Sequence, residues 1–228
     1  MRKIGIIAAM APEMELILQS MEEVEKVTEL GISFYDGFIG ENEIILSLCG
    51  VGKVNAAMAA TLLISQFGCD LLINTGIAGG VAPLKTGDVI IADSLMYHDF
   101  DTTIFGYEYG QVPQMPKEIK PNPVALLLVK SALSKLNIDY KCCKVYTGDK
   151  FVSSFEVLSN VDINDGAACE MEGAAIAHVA FKARVDFIVL RYISDIIGEE
   201  SQIDNYLEFE GEMASRSAKI TLQIVNNL

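Results

Sequence analysis

The segment 3–9 is apolar at every position after Lys3, so neither face of it seeks water, as in a strand buried in mid-sheet. Pro12 suits the first turn of a helix, and Met14, Ile17, Leu18, Met21 and Val24 then recur at helical spacing, with Glu13, Glu15, Glu22 and Glu23 off the stripe. Residues 31–38 and 43–49 flank a Gly-Glu-Asn turn and predict a β-hairpin. Gly50-Val51-Gly52-Lys53 opens an Ala-rich helix that runs to about Phe67. A short buried strand is expected at 71–74, which ends in the Gly-rich run 75–80, and further strands at 88–92, 140–147, 167–169 and 187–191. Helices are expected at 124–136, 173–183 and 203–225. The stretch 98–116 has no period and is too long for a simple connection, which marks it as functional. Alternation of strands and helices after the hairpin predicts a three-layer α/β/α sandwich around a central mixed, largely parallel sheet.

The length of 228 residues and the absence of any linker or repeat fit one domain spanning 1–228. Hydrophobic residues make up 51% and charged ones 21%, which excludes intrinsic disorder. The net charge of −14 is spread along the chain, so nucleic acid and anionic membrane are poor partners. Arg2-Lys3 followed by an apolar run mimics a secretion signal, but the run is short and Pro12-Glu13 ends it, so a first strand is the better reading. No run reaches the 18 apolar residues of a membrane span. Five cysteines without CxxC spacing read as reduced thiols of a cytoplasmic protein. Two distant histidines and no HExxH give no metal site; His178 reads as a core or surface residue, and His98 in the long loop stays open.

In parallel sheets ligands bind beyond the carboxyl ends of strands, which directs attention to 10–13, 74–80, 170–172 and 194–195. Glu13 either complements the helix dipole or serves as a carboxylate, kept ionised by that dipole, that aligns a water. Glu172 either begins the next helix as a capping acid or accepts two hydroxyl hydrogen bonds from a ribose diol, with Glu170 on the same face of the extended chain. Asp195, at the end of an apolar strand, either caps the following turn or is a carboxyl held protonated by burial, able to give its proton to a leaving group. The Gly50–Lys53 run lacks the length and the Ser/Thr of a phosphate loop and reads as a tight turn.

Six blocks carry a resemblance to a known family: KIGIIAAMAPEME (3–15), CGVGKVNAAMAATLL (49–63), INTGIAGG (73–80), YHDFDTTIFGYEYGQVP (97–113), CEMEGAAIAHV (169–179) and RYISD (191–195). In that order they resemble the bacterial 5'-methylthioadenosine/S-adenosylhomocysteine nucleosidases of the purine nucleoside phosphorylase-like superfamily. The resemblance implies cofactor-free hydrolysis of the bond between adenine and a 5'-thio-ribose. It implies that Glu13 activates water, that Asp195 protonates adenine N7 with Ser194 in support, and that Glu172 holds the ribose hydroxyls above Met171. It further implies that Phe151 stacks on the purine while the Val152 backbone reads its edge. Met10, Val51, Phe105, Tyr107 and Pro113 would line the 5'-alkylthio pocket, part of it supplied by the second subunit of a homodimer. Ile77 stands where relatives often carry a small hydroxyl residue facing the nucleoside, and Tyr206 stands in for a lid aromatic in the divergent 196–206 segment.

Two rivals are a phosphorylase and a silent nucleoside-binding protein. A phosphorylase needs cations where this chain has Glu13, and mere binding does not require Glu13, Glu172 and Asp195 together.

Overall fold

The structure is a computed structural model describing residues 2–228, Phe209 by its backbone alone. In chain order the elements are β1 (Lys3–Ala8), α1 (Ala11–Gln19), β2 (Glu22–Glu29), β3 (Ile32–Ile39), β4 (Asn42–Leu48), α2 (Lys53–Ser65), β5 (Leu71–Asn74), β6 (Ile77–Val81) and β7 (Val89–Tyr97). There follow α3 (Pro123–Lys135), β8 (Lys141–Thr147), β9 (Ala167–Glu170), α4 (Gly173–Ala183), β10 (Asp186–Ile196) and α5 (Gln202–Val225).

The strands hydrogen-bond in the order β2-β3-β4-β1-β5-β10-β6-β9-β8-β7, and β10 also pairs with β7. That second pairing is possible because β10 is eleven residues long: its first half continues the open sheet and its second half joins β6. Parallel pairs link β4, β1, β5, β10 and β6, so their carboxyl ends lie along one edge. Helices α1, α3 and α5 bury Met14, Ile17, Val129, Leu133, Ala218 and Ile224 against one face. Helices α2 and α4 bury alanines such as Ala59, Ala60, Ala174 and Ala177 against the other. Their small side chains let two helices lie close to the sheet, and together the layers form the expected three-layer sandwich with a mixed sheet.

The structure corrects three local expectations. The helical stripe stops at Gln19; Met21 lies beyond the helix, and Val24 sits in β2, an edge strand antiparallel to β3 whose charged residues face solvent. Residues 77–81 are a strand, paired with both β10 and β9, rather than the Gly-rich tail of β5. Asp195 lies inside β10, not after it. The long loop is also less open than its composition implies. Tyr109 donates its hydroxyl to the His98 carbonyl at 2.9 Å, and Phe100 packs on the core, which leaves Ile104 and Phe105 exposed at 87% and 76%.

Candidate active site

Glu13 lies in the first turn of α1, where it is 3% exposed. Its Oε2 accepts hydrogen bonds from the Ala9 and Met10 N–H groups at 2.9 and 3.0 Å, and its Oε1 accepts one from Ile77 N–H at 3.3 Å. The carboxyl therefore bridges the β1–α1 and β5–β6 turns. Gly76 makes this approach possible, since a Cβ there would stand 2.6 Å from Glu13 Oε1. Burial pushes the carboxyl above its ordinary pKa, against the pull of Arg191 and the three N–H groups. The helix dipole thus does not by itself set its ionisation, as position alone suggested. The higher pKa makes its anion a stronger base than a surface carboxylate.

Glu170 and Glu172 flank Met171 at the start of α4, and both face Arg191 of β10, a side chain 2% exposed. Arg191 Nη2 bonds to Glu170 Oε2 and to Asn74 Oδ1, and lies 3.9 Å from Glu172 Oε2. Its Nη1 donates to the Leu190 carbonyl at 2.9 Å. Glu170, not Glu172, serves the helix terminus: its Oε2 accepts the N–H groups of Glu172 and Gly173 at 3.0 and 2.7 Å. Glu172 occupies the N-cap position without capping, and its Oε1 instead accepts the Gly52 N–H at 2.8 Å. Gly52 tolerates the required φ of +101° because it has no Cβ.

Burial, with Glu170 beside it, raises the Glu172 pKa from 4.5 to about 7. A folded pKa above the unfolded one means that the folded chain keeps the proton longer, so this group lowers stability as pH rises from 4.5 through about 7. Glu172→Gln is therefore expected to raise the thermal midpoint relative to the native chain at pH 8, with the gap narrowing at pH 5. Calorimetry at the two pH values checks this; a gap independent of pH would refute it.

Asp195, 1% exposed, accepts the Ser194 hydroxyl on Oδ1 at 2.6 Å and the Gln202 amide on Oδ2 at 2.8 Å. The same Gln202 nitrogen donates to the Val152 carbonyl at 2.9 Å.

These groups meet in one cleft. Glu13, Glu172, Ser194 and Asp195 form its polar wall, and Met10, Val51, Ile77, Phe151, Val152 and Met171 its apolar one. Tyr206 joins the lining, with its ring edge-on to Phe151 at 5.2 Å. Phe105, Tyr107 and Pro113 do not line the cleft of a single chain. Sequence reasoning gave no role to Arg191, Asn74 or Gln202. Arg191 carried a usable signal, because a cation inside the apolar run 187–193 must find buried partners.

The family model described as "Phosphorylase superfamily" matches residues 3–226. A 5'-methylthioadenosine/S-adenosylhomocysteine nucleosidase of Staphylococcus carnosus (strain TM300) is 36% identical over 99% of this chain and 100% of its own. An S-adenosylhomocysteine nucleosidase of Streptococcus pyogenes, solved with 5-methylthiotubericidin, superimposes with a TM-score of 0.90 at 37% identity, covering 100% of this chain and 97% of that one. The Neisseria meningitidis 5'-methylthioadenosine/S-adenosylhomocysteine nucleosidase, solved with methylthio-immucillin-A, gives 0.91 at 34% identity, with both chains covered in full.

Proposed function

The chain belongs to the phosphorylase superfamily, and we propose that within it the chain is a nucleosidase hydrolysing 5'-methylthioadenosine and S-adenosylhomocysteine. The products are adenine with 5-methylthioribose or S-ribosylhomocysteine. The observation that carries this reading is the cleft itself, in which three buried carboxyls face an aromatic and apolar wall.

Cleavage of the glycosidic bond leaves positive charge on the sugar, as in other glycoside hydrolyses, and sends electrons to the base. Asp195 gives a proton to purine N7, so that neutral adenine departs. Glu13 takes a proton from the water that adds to the sugar carbon, and its raised pKa suits it to that step. Glu172 accepts the ribose hydroxyls. Phe151 supplies the stacking face, the Val152 backbone reads the purine edge, and Met10, Val51 and Met171 surround the sugar and its thio substituent. In this reading the proton donor, the base and the hydroxyl acceptor are all carboxyls of the chain, so no step draws on a cofactor, and the partners it assigns are small-molecule nucleosides and a second copy of the chain.

Phosphate fits poorly. Arg191 is a buried cation whose charge acts on Glu13, but Glu170, Glu172 and Asn74 already surround its guanidinium. Methylthioadenosine incubated in phosphate-free buffer is expected to yield free adenine and methylthioribose. A sugar 1-phosphate, formed only when phosphate is present, would overturn hydrolysis.

The same reading assigns Phe105, Tyr107 and Pro113 to the 5'-thio pocket of a neighbouring copy in a two-fold homodimer. Exposed Ile104 and Phe105 support an interface there, and the ion pair from Lys53 to Asp99 at 2.6 Å ties the loop to the rim of the cleft. Sedimentation at micromolar concentration is expected to give about twice the monomer mass of 24.8 kDa. A fully active monomer would refute the shared pocket. The described helices include none long and apolar enough to cross a membrane, and a cytoplasmic setting suits the free thiols and the substrates.

A further inference from the structure

We propose that Gln202 is a positioning residue for the general acid: a buried amide that fixes the Asp195 carboxyl and the Val152 carbonyl, the two groups facing the purine edge, in one geometry. The proposal rests on the roles given above to Asp195 and Val152.

Gln202 opens α5 and is 2% exposed. Its Oε1 accepts the Gly198 N–H at 3.1 Å, which decides which way the amide lies: oxygen toward the donor, NH2 toward the two acceptors. Both hydrogens of Nε2 are then used, one on the Val152 carbonyl at 2.9 Å and one on Asp195 Oδ2 at 2.8 Å. With the Ser194 hydroxyl on Oδ1 at 2.6 Å, each oxygen of Asp195 has a fixed donor. The carboxyl plane cannot turn without breaking one of these bonds. Asp195 and Val152 line the cleft whereas Gln202 lies behind them, so the amide sets their orientation and leaves their open side to the base. Ser194 alone would leave rotation about the Asp195 Cβ–Cγ bond less constrained, and proton transfer is steeply sensitive to such misplacement. A glutamine at this place also links the start of α5, which carries Tyr206 into the cleft one turn later, to the acid.

The test is Gln202→Met in the full chain, similar in length but without the amide, assayed with methylthioadenosine in the native and the Asp195→Asn backgrounds. In the native background kcat is expected to fall about ten- to a hundredfold, with KM changed by no more than about threefold, the signature of an interaction that acts in the transition state. In the Asp195→Asn background the same change is expected to cost no more than about twofold, because the acid whose orientation it sets is already gone and only the hold on the Val152 carbonyl is left to lose. Unchanged kinetics would overturn the proposal, as would a change confined to KM; a falling KM would mean that the amide competes with the purine. Equal losses in both backgrounds would also overturn it, since Gln202 would then act through the fold.

Should the Met variant not fold, Gln202→Glu carries the test. Turnover is expected to be poor at pH 8 and partly restored at pH 5.5, where the new carboxyl is protonated and donates again. A loss independent of pH overturns the proposal. Absence of adenine release by the native chain would overturn the functional reading itself, and is told apart because no variant is needed to see it.

Discussion

Glu13→Gln and Asp195→Asn are each expected to lower turnover of methylthioadenosine by about 10²- to 10⁴-fold, the usual cost of a lost proton-transfer group, while the fold survives. The geometry explains why structure and activity should separate. In Glu13→Gln the amide oxygen can take the Oε2 position and keep the Ala9 and Met10 donors. The new NH2 then meets only the Ile77 N–H, which at 3.3 Å was the longest of the three bonds. The basic oxygen that receives the water's proton is gone. In Asp195→Asn the amide oxygen keeps the Gln202 donor, and the NH2 can donate to Ser194 Oγ once that hydroxyl turns fully toward the Ala78 carbonyl, 3.3 Å away. The shape is retained and the acid is lost. Steady-state assays beside thermal melts check both statements. A kcat within about threefold of native, from a folded variant, would remove the catalytic role from that residue.

Much of this arrangement was legible in the sequence because burial on both faces leaves a continuous apolar run. The strands expected at 3–9, 71–74 and 187–191 are central strands of the sheet, and their carboxyl ends pointed to the cleft. The failures have equally physical causes. β2 is an edge strand with one partner and a solvated face, so its glutamates and valines obey no burial rule, and Val24 fell at helical spacing by coincidence. β6 contains Gly79 and Gly80, poor strand formers, and exists because β10 and β9 offer hydrogen bonds on either side. Gln202 had no local signal: its three partners come from positions 152, 195 and 198, two of them in segments whose approach depends on the whole topology. Phe105, Tyr107 and Pro113 were matched to the pocket by resemblance, and one chain alone does not bring them there.

Arg191→Met is expected to produce the largest loss of stability, about 3–5 kcal/mol, the cost of leaving buried carboxylates without their cation. Glu170 has both oxygens engaged and is 7% exposed; Thr147 and two backbone N–H groups remain to it, but none carries a charge. Glu172 and Glu13 also lose the attraction that opposes their rise in pKa. Asn74 loses the guanidinium bond that orients its amide at the end of β5. For a chain of this length the deficit corresponds to a fall of roughly 6–20 °C in thermal midpoint. Its pH dependence distinguishes the charge from the shape. Without Arg191 the folded state holds protons on the Glu172 and Glu13 carboxyls to still higher pH, so the variant's stability should fall more steeply than the native chain's as pH rises above about 5. The deficit should therefore be larger at pH 8 than at pH 5. Arg191→Lys, which keeps a charge but not the fork that reaches Glu170 and Asn74 together, should lie between the two. A deficit below about 1 kcal/mol that is the same at both pH values would mean that the carboxyl cluster is balanced by something other than Arg191.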